Sequence, residues 1–270
     1  MRVVRENAIG AAALLRRDAL LFLSYRSRVA MQLMTAFFTV VLFYYISRLV
    51  RVSAFKTADD YFAFAVIGVA IMEVVGSTLS LLPMKIRQEL VAGTFERVVV
   101  SPFGPVASIV AMTLFPLATA LMMGAISVAF AGIVFGLPID WSTAGFAVPA
   151  SILAAAAFAP FALIVSAAVL AFKQAGAATG FIVTGLSLVG GFFFPISLLP
   201  GWIQWTSDVQ PFTPAVELLR HLIVGAPIGA SVWVDVVKLV LFGAVLVPVG
   251  LLALRTAVRF GQRRGTIIEY

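Results

Sequence analysis

Six stretches of this chain are almost uninterruptedly apolar for about twenty residues or more: approximately 29–50, 61–82, 106–136, 146–172, 177–199 and 232–254. A helix needs about 20 such residues to cross a bilayer, whereas a barrel strand needs roughly 9–11 of alternating polarity. The pattern therefore predicts six transmembrane helices. Two other segments follow different rules. Residues 1–28 place Ala11, Leu14, Leu15, Leu21 and Phe22 at helical spacing, roughly opposite Arg5, Glu6, Arg16 and Arg17, with Asp18 interrupting the stripe. That spacing predicts a helix lying on the membrane surface, its arginines toward anionic lipid. Residues 195–230 carry Pro195, Pro200, Pro211, Pro214 and Pro227. They are too interrupted to cross once and too apolar for a free loop. Short broken helices dipping back into the outer leaflet fit, packed on the bundle because bare backbone is not tolerated at membrane depth. The expectation is one all-α, polytopic membrane domain over residues 1–270.

Composition narrows the class. Of 270 residues 62% are hydrophobic and 11% charged, against about 45–50% and about 25% in soluble domains. A soluble globule and a disordered chain are both excluded. The formal charge of +7 is not a nucleic-acid signature here, because its distribution explains it. With the N-terminus inside, fourteen of the nineteen Lys and Arg fall on the inner side and five on the outer. The excess places both termini in the cytoplasm. Trp141, Trp202, Trp205 and Trp233 all fall on the opposite side, where indole rings favour the headgroup layer. There is no cysteine and one histidine, so disulfides, thiolate sites and multi-histidine metal sites are excluded. His221 reads as a surface residue.

The chain also lacks the signatures of catalysis. No phosphate-cradling G-x-x-x-x-G-K-[ST] and no H-E-x-x-H is present. Glu73 is the one mid-span carboxylate. At the bilayer centre an ionised carboxylate costs roughly 2.5–3.5 kcal/mol, so two readings stand: a group lining a transport path or dimer seam, or a packing group hydrogen-bonded to a neighbour such as Ser77. Residues 85–102 mix both charges with spaced apolar positions. A short surface helix there puts Ile86, Leu90 and Val91 on one stripe, Gly93 ends it, Thr94 caps the next segment, and Ser101-Pro102 opens the next span. Lys173, in the tight turn before Gly176, either contacts a partner or snorkels to headgroups. Small residues at Ala154–Ala157 and at Gly176, Gly180 and Gly185 predict close helix packing. Phe37, Phe38, Phe43, Tyr44 and Tyr45 face either an amphipathic cargo or neighbouring helices and lipid.

The run R-Q-E-L-V-A-G-T-F-E-R-V-V-V-S-P (residues 87–102) resembles the loop of ABC type-2 export permeases, E-x-x-x-G-T-L-E-x-L-L-x-[ST]-P, through Glu89, Gly93, Thr94, Glu96, Ser101 and Pro102. Gly190–Trp205 and Gln210–Arg220 resemble that family's fifth helix and outer re-entrant hairpin. The resemblance implies a half-transporter that pairs with a second permease subunit and docks a separate ABC ATPase subunit, which carries the ATP and magnesium. It implies a coupling helix at about 84–97, with Arg87, Glu89, Gly93, Thr94, Glu96 and Arg97 toward the ATPase and Lys173 as a second inner contact. It implies an outer re-entrant segment shaped by Pro195, Pro200, Trp202, Pro211 and Pro214, and a prokaryotic plasma membrane. The implied function is ATP-driven export of an amphipathic, lipid-like, drug or lipid-linked polysaccharide cargo, by a chain that is itself no enzyme. The alternatives are an ion-driven secondary transporter using Glu73 and a non-transporting scaffold or sensor.

Overall fold

The computed structural model describes residues 2–50, 54–95, 104–172 and 176–264. Within them all regular structure is helical: α1 (Arg2–Ser24), α2 (Arg26–Leu49), α3 (Ala58–Val91), α4 (Gly104–Phe135), α5 (Ala147–Phe172), α6 (Gly176–Val189), α7 (Phe212–Val224) and α8 (Val232–Arg264), joined in places by single turns. Among the described residues five segments are long and apolar enough to cross a membrane: Val29–Leu49, Ala58–Val91, Gly104–Phe135, Ala144–Phe172 and Val232–Arg263. The chain is thus a multi-pass helical membrane protein.

The expected span at 177–199 comes out differently. Helix α6 has 14 residues and stops at Val189, about 20 Å of helix against a hydrocarbon core of about 30 Å. Two glycines end it. The Gly190 N–H still donates to the Leu186 carbonyl at 2.8 Å, and Gly191 then takes φ +72°. The chain turns inward and buries Phe192 completely.

Helices α3 and α5 form the centre. Two thirds of the most apolar stretch of α3 is buried, against 6% for α2. Helix α3 packs on α4 and α5, and α8 runs along α5. The bundle has two chemically distinct ends. One, the tryptophan end, carries the loop before α5, the segment before α7 and the starts of α3 and α8. The other, the basic end, carries α1, the last turns of α3 and the arginines Arg255, Arg259 and Arg263 on the last turns of α8.

Helix α3 connects these ends without a break. It starts at a capping box in which the Asp60 N–H donates to Thr57 Oγ1 (3.1 Å) and the Thr57 N–H to the Asp60 carboxylate (3.0 Å). It then continues for 34 residues, through the buried Pro83. At 1.5 Å per residue that is about 50 Å, far more than a hydrocarbon core requires. Residues 84–91 are therefore the end of the second span and not a separate surface helix. Lys85, Arg87, Gln88 and Glu89 are strong helix formers, and the buried stripe keeps its register. Leu82, Ile86 and Leu90 pack with Phe95, Ile109, Met112, Leu254 and Val258. Val91, expected on that stripe, is exposed.

The first helix also differs in which face it buries. Leu15, Asp18, Ala19 and Phe22 turn inward, whereas Leu21, expected on the apolar stripe, is exposed with Leu20 and Leu23. Phe22 meets Phe115 of α4 edge-on, with ring centroids 5.7 Å apart. Asp18 does not interrupt the packed stripe; it occupies its middle.

Between α6 and α8 the broken segment resolves into turns over 196–207 and one 13-residue helix. Helix α7 is too short to cross a membrane, yet most of its side chains are buried, including Phe212, Val216, Leu218, Leu219 and Arg220.

Candidate functional site

At the basic end, the residues singled out in the sequence build a helix terminator. The Thr94 N–H donates to the Glu89 carbonyl at 3.0 Å and the Gly93 N–H to the Leu90 carbonyl at 3.1 Å. Together with Gly93 at φ +66°, these two bonds are the Schellman closure of a helix. An L side chain in that left-handed conformation costs about 1–2 kcal/mol, which accounts for glycine there. The Thr94 hydroxyl donates to the Glu89 carboxylate and locks the turn from outside. Phe95 comes next, fully buried, anchoring the chain in the cluster around Ile86 and Leu90. The E-x-x-x-G-T-F pattern is thus a rigid knot on the end of the central helix. Arg87, Gln88 and Gly93 stay exposed around it. Glu96, Arg97 and Lys173 lie outside the described residues.

Midway along α3, Glu73 lines a groove of about 630 Å³ between α2 and α3, floored by Ser127 of α4 and bounded by Phe193. Its wall carries a row of polar side chains from each helix. Gln32, Thr35 and Thr39 come from α2, and Ser77 and Ser80 from α3. They recur at spacings of three and four, so each helix presents them on one face. Gln32, across the groove on α2, and Ser77, one turn on along α3, both line the groove with Glu73. The aromatic set divides. Phe37 stacks on Phe130 (4.4 Å), Phe43 on Phe193 (5.8 Å) and Tyr44 on Phe135 (4.3 Å), while Phe38 and Tyr45 are exposed. The small residues divide too. Ala154, Ala155 and Ala157 are buried in the bundle, whereas Gly180 and Gly185 lie on an exposed face of α6 beside Phe181.

At the tryptophan end the structure reveals a joint that sequence reasoning missed. Arg220 on α7 is 5% exposed. It donates to the Phe64 carbonyl from Nε (3.2 Å) and Nη2 (3.0 Å), to Gly191 O from Nη1 (2.8 Å) and to Phe192 O from Nη2 (2.8 Å). Its guanidinium also lies 3.3 Å from the centre of the Phe64 ring. One side chain therefore holds together α3, the unwound end of α6 and α7. Gly68 makes the approach possible. A Cβ there would sit 1.8 Å from Phe192 O. The signal for Arg220 was present in the sequence, a lone cation inside an apolar 13-residue segment, because such a charge at membrane depth demands partners.

The prolines after α6 and at the start of α7 shape the same end. Pro195 and Pro200 precede the single turns 196–198 and 201–204, while Pro211 and Pro214 start α7. Trp202 is exposed, and its carbonyl accepts from Trp205 Nε1 at 2.9 Å. Gln210 reaches back to cap α6, donating to Val189 O at 2.9 Å. His221 is partly buried rather than a free surface residue; its Nδ1 lies 2.9 Å from Ala226 O. The loop before α5 docks on α7 through the Asp140 N–H to Ile223 O (2.8 Å) and Thr143 Oγ1 to Leu222 O (2.9 Å). The Ser142 hydroxyl and N–H both donate to Asp140 and hold its carboxyl below the usual carboxylate range.

Residues 11–224 match the family described as ABC-2 type transporter. The match covers α2 to α7 and ends with the last residue of α7. No curated protein matches the sequence.

Proposed function

Because this chain belongs to the ABC-2 type transporter family, as a membrane permease subunit, we propose that it works as an exporter half. In this reading it pairs with a second permease subunit, identical or different, and docks a separate ATPase that supplies ATP and magnesium. The cargo is amphipathic: a lipid-like molecule, a drug or a lipid-linked polysaccharide. The basic end faces the cytoplasm, as the distribution of Lys and Arg favours, in a prokaryotic plasma membrane. Even termini then require a sixth crossing, which α6 makes together with residues 190–199.

One observation carries the reading. The family-like residues Glu89, Gly93 and Thr94 do not sit on a loose loop; they close the end of a continuous 34-residue helix buried in the bundle centre. A load applied at the end of α3 is carried toward the Glu73 groove and the Arg220 joint by one continuous helix, through Pro83. Arg87, Glu89, Gly93, Thr94, Glu96 and Arg97 are proposed to meet the ATPase, with Lys173 as a second contact. The uncovered faces of α2 and α6 support pairing with another permease subunit. Residues 195–230 are proposed to form the outer re-entrant segment.

The test is cargo flux and ATP hydrolysis in vesicles holding the permease with its co-purified ATPase. Glu96→Lys is expected to leave hydrolysis near wild-type while transport per ATP falls severalfold; full coupling in that variant overturns the contact assignment. Flux by this chain alone, without ATP, favours the ion-driven alternative. Glu73→Gln keeps the size and polarity of the side chain in the groove but removes the ionisable group. It is expected to lower flux with expression near normal, and unchanged flux removes Glu73 from the pathway.

A further inference from the structure

The buried middle of the α1 stripe is a carboxylate. Asp18 is 7% exposed, and two cations from different helices share it. Lys85 of α3 donates to Oδ2. Arg17, its neighbour on α1, donates to Oδ1 from Nε at 3.1 Å, and Arg17 Nη2 lies at the same distance. A carboxylate with one buried partner would weld the two helices, because losing that partner leaves a bare charge in an apolar setting. With a second cation carried on its own helix, Asp18 stays paired when Lys85 withdraws. Arg17 is 44% exposed along its side chain and Lys85 22%, so water reaches both cations once the contact opens.

The placement gives the contact a mechanical meaning. Lys85 stands one turn before Glu89 of the terminal knot, on the same rigid helix. Helix α1 leads through Tyr25, at φ −96° and ψ 67°, directly into α2. Helix α2 is the opposite wall of the Glu73 groove. One ion pair therefore joins the motif-bearing end of α3 to the helix that steers the groove's other wall.

We propose that Asp18 is a releasable latch: Lys85 holds α1 and α2 to the basic end of α3, and Arg17 lets that hold open and re-form during the working cycle. The role in the cycle rests on the permease reading above; the latch itself does not.

The chain has no cysteine, so nitroxide labels can be placed at two exposed positions, Leu20 on α1 and Met84 on α3. Distances between them are measured in the full-length protein in lipid nanodiscs. Wild type is expected to give one narrow distance and K85M a longer, broader one. K85M stays folded because Asp18 keeps Arg17. R17A stays narrow because Lys85 remains, and the charge swap D18K/K85D returns the narrow distance. A K85M distribution that superimposes on wild type overturns the latch. With the ATPase present, K85M is expected to lower transport per ATP at least threefold and the swap to restore it. Widened distances with unchanged transport per ATP overturn the role in the cycle and keep the latch. Absence of ATP-dependent transport in wild type as well refutes the permease reading, and the distances alone then decide the latch.

Discussion

Replacing Arg220 with methionine is expected to lower the unfolding midpoint of the detergent-solubilised protein by roughly 10 °C and to cut the yield of monodisperse protein severalfold. Methionine fills similar space but donates nothing. The carbonyls of Phe64, Gly191 and Phe192 each lose their guanidinium donor. A buried acceptor left bare costs about 1–3 kcal/mol; Phe64 O keeps its place in the α3 ladder, and the two carbonyls past the end of α6 together reach a scale at which a marginally stable domain fails. In membranes part of that loss is recovered, because the disrupted state also finds partners. Arg220→Lys is the informative control. Lysine keeps the charge but lacks the planar fork that reaches three carbonyls while lying on the Phe64 ring, so an intermediate midpoint is expected. A methionine variant that melts with wild type would show that α7 is held by its apolar face alone. Thermal scanning by intrinsic tryptophan fluorescence reads the effect directly, since Trp202 and Trp205 lie in the segment that would come loose.

The spans were legible because hydropathy is a strong, averaged signal. The stretches 29–50, 106–136 and 146–172 correspond to helices ending at Leu49, Phe135 and Phe172. Where the average misled, the cause is local. Gly190 and Gly191 sit inside an apolar run that a twenty-residue window smooths over, although two adjacent glycines are enough to stop α6. The reverse happened after Leu82. A change from apolar to charged composition looks like the end of a helix, but helical propensity does not fall at a membrane boundary. Lys85, Arg87 and Glu89 propagate α3 as well as leucines do.

The site was legible where it rests on backbone chemistry. Glycine followed by threonine after a helical stripe predicts a terminator, and the structure builds one at Gly93 and Thr94. The polar residues of the Glu73 groove were harder to see, since Gln32 and Thr39 lie far from Ser77 in sequence and meet only through helix packing. Asp18 looked like a flaw in an amphipathic stripe because its partner, Lys85, is 67 residues away. Long-range pairing of this kind leaves no periodicity to read.

Gly68→Ala, a change of one methyl, is expected to be nearly as damaging as loss of Arg220. The added Cβ would stand 1.8 Å from Phe192 O, 2.7 Å from the Phe192 carbonyl carbon and 2.9 Å from Arg220 Nη2. Two of those atoms are backbone, and the third belongs to a side chain fixed by four hydrogen bonds. None can step aside alone. To bring the closest contact out to 3.0 Å, the unwound end of α6 must retreat from α3 by at least about 1 Å. That movement stretches the Arg220 bonds to Gly191 and Phe192 while leaving the two bonds to Phe64. The two residues thus act on one joint, and their losses should not add. Neighbouring substitutions that share partners couple by about 0.5–3 kcal/mol, so the G68A/R220M double variant is expected to melt close to the worse single variant. Strict additivity of the midpoints would mean that the close approach at Gly68 and the guanidinium clamp are independent. The basic end supplies the internal control. Because the knot at Glu89–Phe95 lies far down the same helix, ATPase pull-down by the surviving folded fraction should persist in both single variants while flux is lost. Loss of pull-down in proportion to flux would mean that α3 does not hold its basic end together once the opposite end is released.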